Sequence, residues 1–266
     1  MDQNRLFEAG ASGIEEVEEP LSASGDTILL KGYFESGNGL HMAREWFRER
    51  GEMTSGEEKI EDWDRSWRDR QTPVEVTPSL SVMPPWVEPP ADARFIIRLE
   101  AKMAFGTGSH ESTRIAATLL ERAPVEGASI LDIGAGTGIL ALYAGQLGAK
   151  SILALDIDPV SGPCMRENLG LNPLPEECRF DILIGGMESL HPKARFRIVV
   201  CNMIRTELWP FREQLRERLE PGGRFLVSGQ RLEDKPHFLA WCEASPFRIV
   251  EEVEMEGWWG FSATVD

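Results

Sequence analysis

From Ala91 to the C-terminus the chain predicts an α/β fold, a mostly parallel sheet with crossover helices, preceded by a small N-terminal α+β domain. Three observations carry this expectation. Apolar runs of strand character (FIIRL, SILDIG, SILALDID, RFDILIG, FRIVVCN, RFLVSG and FRIVEEVEM) alternate with helical patterns such as TGILALYAGQLG and RTELWPFREQLRERLE, as they do where helices cross between parallel strands. A glycine-rich turn, GAGTG, closes the SILDI run, and ligand crevices in such sheets open beyond the carboxyl ends of the strands. Ahead of both lies TPVEVTPSLSVMPPWVEPP, whose six prolines separate strand-like pieces, VEV and LSV, by turns. That punctuation marks a domain border.

The divisions expected are therefore residues 1–52 as a small N-terminal α+β substrate-recognition domain, 53–90 as a linker helix and Pro-rich hairpin, and 91–266 as the main domain. In the first, IEEVEE and TILLKGYF are short apolar pieces, and GLHMAREWFRERG has helical spacing with Met42, Trp46 and Phe47 near one face and Gly51 as a C-terminal stop. In the second, Ile60, Trp63 and Trp67 recur at helical spacing among charges. Such a stripe either packs a connecting helix by its indoles or docks a partner, and packing is the commoner use. In the third, Pro221 to Gly223 is expected to end the helix before the RFLVSG strand.

A chain of 266 residues with 42% hydrophobic content can bury a substantial core. Its 28 Lys and Arg against 44 Asp and Glu leave a net charge of −16. That balance disfavours a phosphate backbone as partner and suits a basic one, although acidity also serves solubility alone. Cys164, Cys178, Cys201 and Cys242 are widely spaced, and His41, His110, His191 and His237 are equally dispersed. Neither a disulfide framework nor a metal ligand set follows from such spacing. The opening residues MDQNRLFEAG have no basic and apolar leader character, and no apolar run is long enough to span a bilayer, so the expected compartment is the cytoplasm.

The turn ILDIGAGTGIL places Gly134, Gly136 and Gly138 where the chain turns tightly, with Asp132 at the strand end. Its G-x-G-x-G spacing departs by one residue from the dinucleotide pattern. The next strand ends in Asp156, whose carboxylate can accept both hydroxyl protons of a ribose. A dinucleotide and S-adenosylmethionine both carry that ribose. A carboxylate at Asp132 is unfavourable beside a pyrophosphate and tolerable beside an ammonium, so charge favours the sulfonium nucleoside. A second loop, MAFGTGSHEST from Met103 to Thr113, runs directly into a helical pattern. It lacks the lysine of a phosphate-cradling loop, which leaves its object undefined by local pattern.

The segments EDWDRSWRDR, VMPPW, MAFGTGSHESTR, ILDIGAGTGILALYAGQLGA, LALDIDP, VVCNM and LEPGGRFLVSG, in this order, resemble the methyltransferases that modify lysines of large-subunit ribosomal protein eleven, the PrmA family. The resemblance runs from about Glu57 to the C-terminus, and FGTGxHxxTR is its most specific motif. It implies a Rossmann-like class I methyltransferase domain and S-adenosyl-L-methionine as cofactor. It also implies that Thr113 hydrogen-bonds the cofactor, that Phe105 and Thr107 shape the pocket, that Gly134 and Gly136 contribute backbone contact, and that Asp156 holds the ribose. Asn202, which by itself reads as either a turn former or a site residue, becomes by the same resemblance the side chain next to the methyl group and the incoming amine. The implied substrate is a basic ribosomal protein of the large subunit, with no direct contact to nucleic acid or membrane.

Methyl transfer from a cationic sulfur asks the protein mainly to align and desolvate. A lysine must first lose a proton from a group whose ordinary pKa is about 10.4, and a neighbouring cation together with burial favours that loss. His110 reads as a structural hydrogen-bonder and Glu207 as a helix-start carboxylate, so no base is assigned, and Asn202 can only orient the amine. CNMI lacks the Asn-Pro-Pro-aromatic run that grips planar nitrogens, which disfavours amide and adenine substrates. Gly185-Gly186 stands where many methyltransferases carry an acid for the adenine amino group, so backbone or a neighbour must serve there. The competing readings are a methyltransferase of another protein or small amine, and a non-catalytic factor that retains cofactor binding.

Overall fold

The computed structural model describes residues 11–17, 29–34, 37–48, 54–56, 72–90, 93–99 and 108–265. The chain divides into two compact units, Met1–Trp67 and Arg68–Asp266. Strands β1 (Ala11–Val17) and β2 (Leu29–Phe34) of the first unit pair antiparallel, and helix α1 follows at Gly37–Phe47. Of the three apolar residues expected on one face of α1, Met42 is exposed and Phe47 half-buried, while among the helix's described side chains Ala43 is the fully buried one. The side chain of Trp46, together with Gly51, Ile60, Trp63 and Trp67, lies outside the described residues.

In the second unit the Pro-rich segment forms a hairpin, β3 (Val74–Glu75) against β4 (Leu80–Met83). FIIRL does not join the main sheet as expected. Its strand β5 (Phe95–Arg98) pairs parallel with β4 in a separate three-stranded sheet. Burial of Val76, Leu80, Val82, Ile97 and Leu99 explains the placement, since these side chains join the core beneath helices α2 (Glu111–Arg122) and α3 (Ile139–Gln146). A polar node ties the same elements together. The Glu121 carboxylate accepts from Thr77, Ser79 and Tyr143, and burial followed by the Glu121 contact raises the Tyr143 phenol above its ordinary pKa.

The main sheet is mixed. Its strands are β6 (Ser129–Ile133), β7 (Ser151–Asp156), β8 (Arg179–Ile184), β9 (Phe196–Asn202), β10 (Leu219–Arg231), β11 (Phe247–Met255) and β12 (Trp258–Val265), in the order β11-β12-β10-β9-β6-β7-β8. β8, β7, β6, β9 and β10 run parallel, and β12 and β11 complete the sheet antiparallel. β12 is a strand that the apolar-run reading does not separate. Almost every residue in it is buried, so no alternation distinguishes it. Helix α3 is short and apolar all round, with Ile139 through Gly145 buried, and stops at Gly148 with φ +91°. Each aliphatic side chain such as Ile130, Leu131, Val199 or Leu226, all almost fully buried, contributes roughly 1.5–3 kcal/mol.

Two local expectations are corrected. The helix read from RTELWPFREQLRERLE breaks into α5 (Arg205–Leu208), a 3-10 turn at Trp209–Phe211 and α6 (Arg212–Glu217), because Pro210 has no N–H to continue the ladder. Pro221-Gly222-Gly223 does not cap that helix. It lies inside the start of β10, where pairing with β9 shifts register between Leu219 and Arg224. The remaining helices are α4 (Ser161–Leu171) and α7 (Lys235–Ala244).

Chain order sets the site. From β6 the chain winds outward to β7 and β8 on one side, then returns to β9 on the other side of β6. The connections on the two sides leave opposite faces there, and a crevice opens beyond the ends of β6 and β9. Gly134 follows β6, and Asn202 ends β9.

Candidate active site at the carboxyl ends of β6, β7 and β9

Gly134, Gly136 and Gly138 adopt φ of +70°, +55° and +79°, a region open to glycine and strained for other residues. A Cβ on Gly134 would also lie 3.1 Å from Cγ of Met203. The N–H groups of this turn point inward. Gly134 and Ala135 donate to the Leu155 carbonyl at 2.8 and 3.1 Å, Gly138 donates to Ala135 at 2.8 Å, and Gly136 donates to Oδ2 of Asp156 at 2.7 Å. A phosphate cradle needs such donors free and directed outward. With the N–H groups of Gly134, Ala135, Gly136 and Gly138 committed and the Asp156 carboxylate beside it, the turn suits a cationic nucleoside and opposes a pyrophosphate. Asp156 is buried, and its Oδ1 accepts from the Asp158 N–H at 2.9 Å, which fixes the carboxylate at the end of β7.

Asp132, 1% exposed, accepts from the Ala141 N–H at 3.1 Å through Oδ2. Burial raises its pKa from 3.8 to about 7, the Ala141 bond opposes this, and the Asp156 charge adds to it. The native state thus keeps a proton that the unfolded chain releases between those two values. Stability from this site is present below about pH 4 and lost as pH rises through about 7, by a total of about 4 kcal/mol. Asp132→Asn keeps an acceptor for Ala141 and has no proton to lose. Urea unfolding at pH 5 and at pH 8 is expected to show the variant gaining on the wild type at the higher pH, with a constant difference contradicting the assignment.

On the other side of the crevice, Nδ2 of Asn202 donates to Oγ1 of Thr113 at 3.4 Å. Oδ1 of Asn202 is buried with no hydrogen-bond partner in the structure. A buried amide oxygen without a donor is costly and marks a place where a ligand group completes the network. Thr113 itself is fully buried in the first turn of α2. His110 caps that helix through Nδ1, which accepts from the Ser112 N–H at 3.2 Å, and its ring meets Trp258 edge-on at 4.6 Å between centroids. Glu207 stands in the first turn of α5. Phe105 and Thr107 lie outside the described residues.

The structure thus brings Gly134, Gly136, Asp156, Thr113 and Asn202 to one end of the sheet. Pattern reading misses three residues bonded around this end of β9: Ser228, which pairs with Asn202, Ser112, whose carbonyl accepts from Ser228, and Gln230, which bonds Met203. The signal available for Ser228 and Gln230 is Gly229 inside a strand pattern, which points to a bulge or a close backbone approach. Beside Gly185-Gly186, the Glu188 carboxylate fills the space that a side chain on Gly186 would need.

Residues 15–265 match the family model for "Ribosomal protein L11 methyltransferase (PrmA)". The chain belongs to the PrmA family. It is 32% identical over 254 residues to the ribosomal protein L11 methyltransferase of Acetivibrio thermocellus, covering 91% of this chain and 80% of that one. Over 291 residues it is 29% identical to the namesake from Bacillus subtilis, covering 96% and 92%. The crystal structure of a ribosomal protein L11 methylase from Lactobacillus delbrueckii subsp. bulgaricus superposes with a TM-score of 0.65 at 28% identity, over 72% of this chain and 97% of that one. As a PrmA-family enzyme the protein is an S-adenosylmethionine-dependent methyltransferase with a Rossmann-like domain. Its donor geometry fits that cofactor on the grounds given above. Among the described residues no group of His, Cys, Asp or Glu forms a metal site, and no helix is long and apolar enough to cross a membrane.

Proposed function

We propose that the protein transfers methyl groups to lysine amines of ribosomal protein L11, with Asn202 and Thr113 orienting the acceptor. Methylation of a large-subunit ribosomal protein follows from family membership. The observation that carries the amine assignment is the buried, unpartnered Oδ1 of Asn202 beside Thr113, because an amine nitrogen supplies the donor this oxygen lacks. The bound cofactor supplies an electrophilic methyl group on a cationic sulfur.

The chain's own residues do the rest. Asp156 presents its carboxylate to the two ribose hydroxyls. The glycine turn admits close approach of the nucleoside without a side chain in the way. Gly134 and Gly136 give backbone contact, and the Glu188 carboxylate is the acceptor for the adenine amino group. Asn202 accepts one hydrogen from the lysine nitrogen, which turns the nitrogen lone pair toward the methyl carbon, and Thr113 holds the Asn202 carboxamide in that orientation. A lysine drawn into this crevice is desolvated beside a cation, so its pKa falls below the ordinary value near 10.4 and the neutral amine becomes populated. Alignment of this kind is worth roughly 7–11 kcal/mol of barrier.

Residues 1–52 are proposed to recognise the substrate, with residues 53–90 as connection, and Phe105 with Thr107 to shape the pocket. A net charge of −16 favours a basic protein over nucleic acid as partner. Four cysteines without a disulfide accord with a cytoplasmic setting.

The test is incubation with tritiated S-adenosylmethionine and purified large-subunit proteins, followed by gel separation and amino-acid analysis. Label on lysines of L11 is expected. Label on another protein or on a free amine overturns the substrate, and cofactor binding without transfer overturns the catalytic assignment.

A further inference from the structure

A second layer of residues, from β10, closes around the turn that presents Asn202. The strand passes the end of β9 as Ser228-Gly229-Gln230, at a point where its pairing with β12 shifts register between Val227 and Gln230. Such bulges re-aim side chains next to functional sites. Here all three bulge residues face the Met203 backbone. The Ser228 carbonyl accepts from the Met203 N–H at 3.2 Å. Gly229 has φ +81°, and a Cβ there would lie 2.8 Å from the Met203 carbonyl oxygen and 3.0 Å from its nitrogen, so only glycine lets the two backbones approach. Nε2 of Gln230 donates to the Met203 carbonyl at 2.5 Å and to the Ser228 carbonyl at 3.0 Å.

The grip then returns to the site. The Ser228 hydroxyl donates to the Ser112 carbonyl at 2.6 Å, and Ser112 precedes Thr113, which accepts from Asn202. Asn202, Thr113, Ser112, Ser228 and Met203 therefore form a closed circuit of covalent links and hydrogen bonds. A carboxamide held at one end by a single 3.4 Å bond depends on its own backbone for orientation. The circuit supplies that.

Gln230 is 0% exposed, and its Oε1 has no hydrogen-bond partner in the structure. A glutamine placed only for stability in an apolar strand would leave no buried acceptor unmet, since an aliphatic side chain of the same length avoids the desolvation cost. Its donors, both spent on the Asn202–Met203 turn and its anchor, are what the position retains.

We infer that Gln230, seated by the Ser228-Gly229 bulge, is a positioning residue that fixes the Asn202 carboxamide for methyl transfer. The inference rests on the role assigned to Asn202 under the proposed function. Two variants, Gln230→Leu and Gln230→Met, remove the donors at similar volume, so that if one packs badly the other carries the test. Each is compared with Asn202→Ala and with the Gln230/Asn202 double variant, measuring kcat, KM for L11, cofactor Kd by calorimetry and thermal unfolding.

The expected result is a folded Gln230 variant with cofactor Kd within two-fold of wild type, KM for L11 little changed, and kcat down by ten-fold or more. In the double variant kcat is expected to fall no further than in Asn202→Ala alone, a non-additivity that a purely structural role would not produce. Unchanged kcat in both folded Gln230 variants overturns the inference, and so do losses that multiply in the double variant. Undiminished kcat in Asn202→Ala overturns the underlying role of Asn202 instead, and is told apart by that single variant.

Discussion

Asn202→Ala is expected to lower kcat by about two orders of magnitude or more, with cofactor affinity nearly unchanged. The magnitude follows from what the side chain does. It contributes no proton transfer, because a carboxamide neither gives nor takes a proton near neutrality. Its contribution is orientation, and a misplacement of about 1 Å at a reacting centre costs about 10²-fold. Loss of stability should be small. The substitution removes the unpartnered Oδ1 and one long hydrogen bond to Thr113, and discarding an unsatisfied buried acceptor offsets the loss of the bond. Steady-state kinetics with L11 at saturating cofactor reads the effect. A variant that loses KM for L11 while keeping kcat would mean that Asn202 binds the substrate protein and does not align its amine.

Asn202 also illustrates where sequence reading stops. The strand FRIVVCN and its position in the sheet follow from composition, because a strand buried on both faces is an apolar run whatever its partners. Its neighbour across the site, Thr113, is 89 residues earlier. No local pattern couples two such positions, and only resemblance to a family joins them. The glycine turn was legible because left-handed φ leaves few choices of residue. The inward direction of its N–H groups was not, since hydrogen-bond partners such as Leu155 and Asp156 come from the next strand.

The misread elements share one physical cause. FIIRL has the apolar content of a central strand, yet it pairs with the Pro-rich hairpin, because content reports burial and not partner. The β12 run WWGFSATV, which carries five fully enclosed positions in a row, has no polar alternation to reveal it. Gln230 is the opposite case, a polar residue just past the RFLVSG run that no sequence pattern singles out. Its burial and its bond to Met203 depend on Gly229, where a side chain would collide with the Met203 backbone.

Asp156→Ala is expected to weaken cofactor binding by about 10²-fold or more while the protein stays folded. Each hydrogen bond to a charged acceptor contributes roughly 1.5–3 kcal/mol, and a ribose diol offers two donors to this carboxylate. The same substitution strips the acceptor from the Gly136 N–H at 2.7 Å and the Asp158 N–H at 2.9 Å, which loosens the glycine turn and adds to the loss. Asp156→Asn separates the contributions. Its remaining oxygen can still accept from Gly136, so the turn stays closed, but the amide nitrogen cannot accept a ribose hydroxyl proton and the negative charge is gone. A loss intermediate between wild type and Asp156→Ala, on the order of ten-fold, is expected for the Asn variant by calorimetry with S-adenosylhomocysteine. Equal losses in the two variants would assign the whole effect to ribose recognition. Unchanged affinity in both, with near-ultraviolet circular dichroism intact, would remove the ribose from the end of β7 altogether.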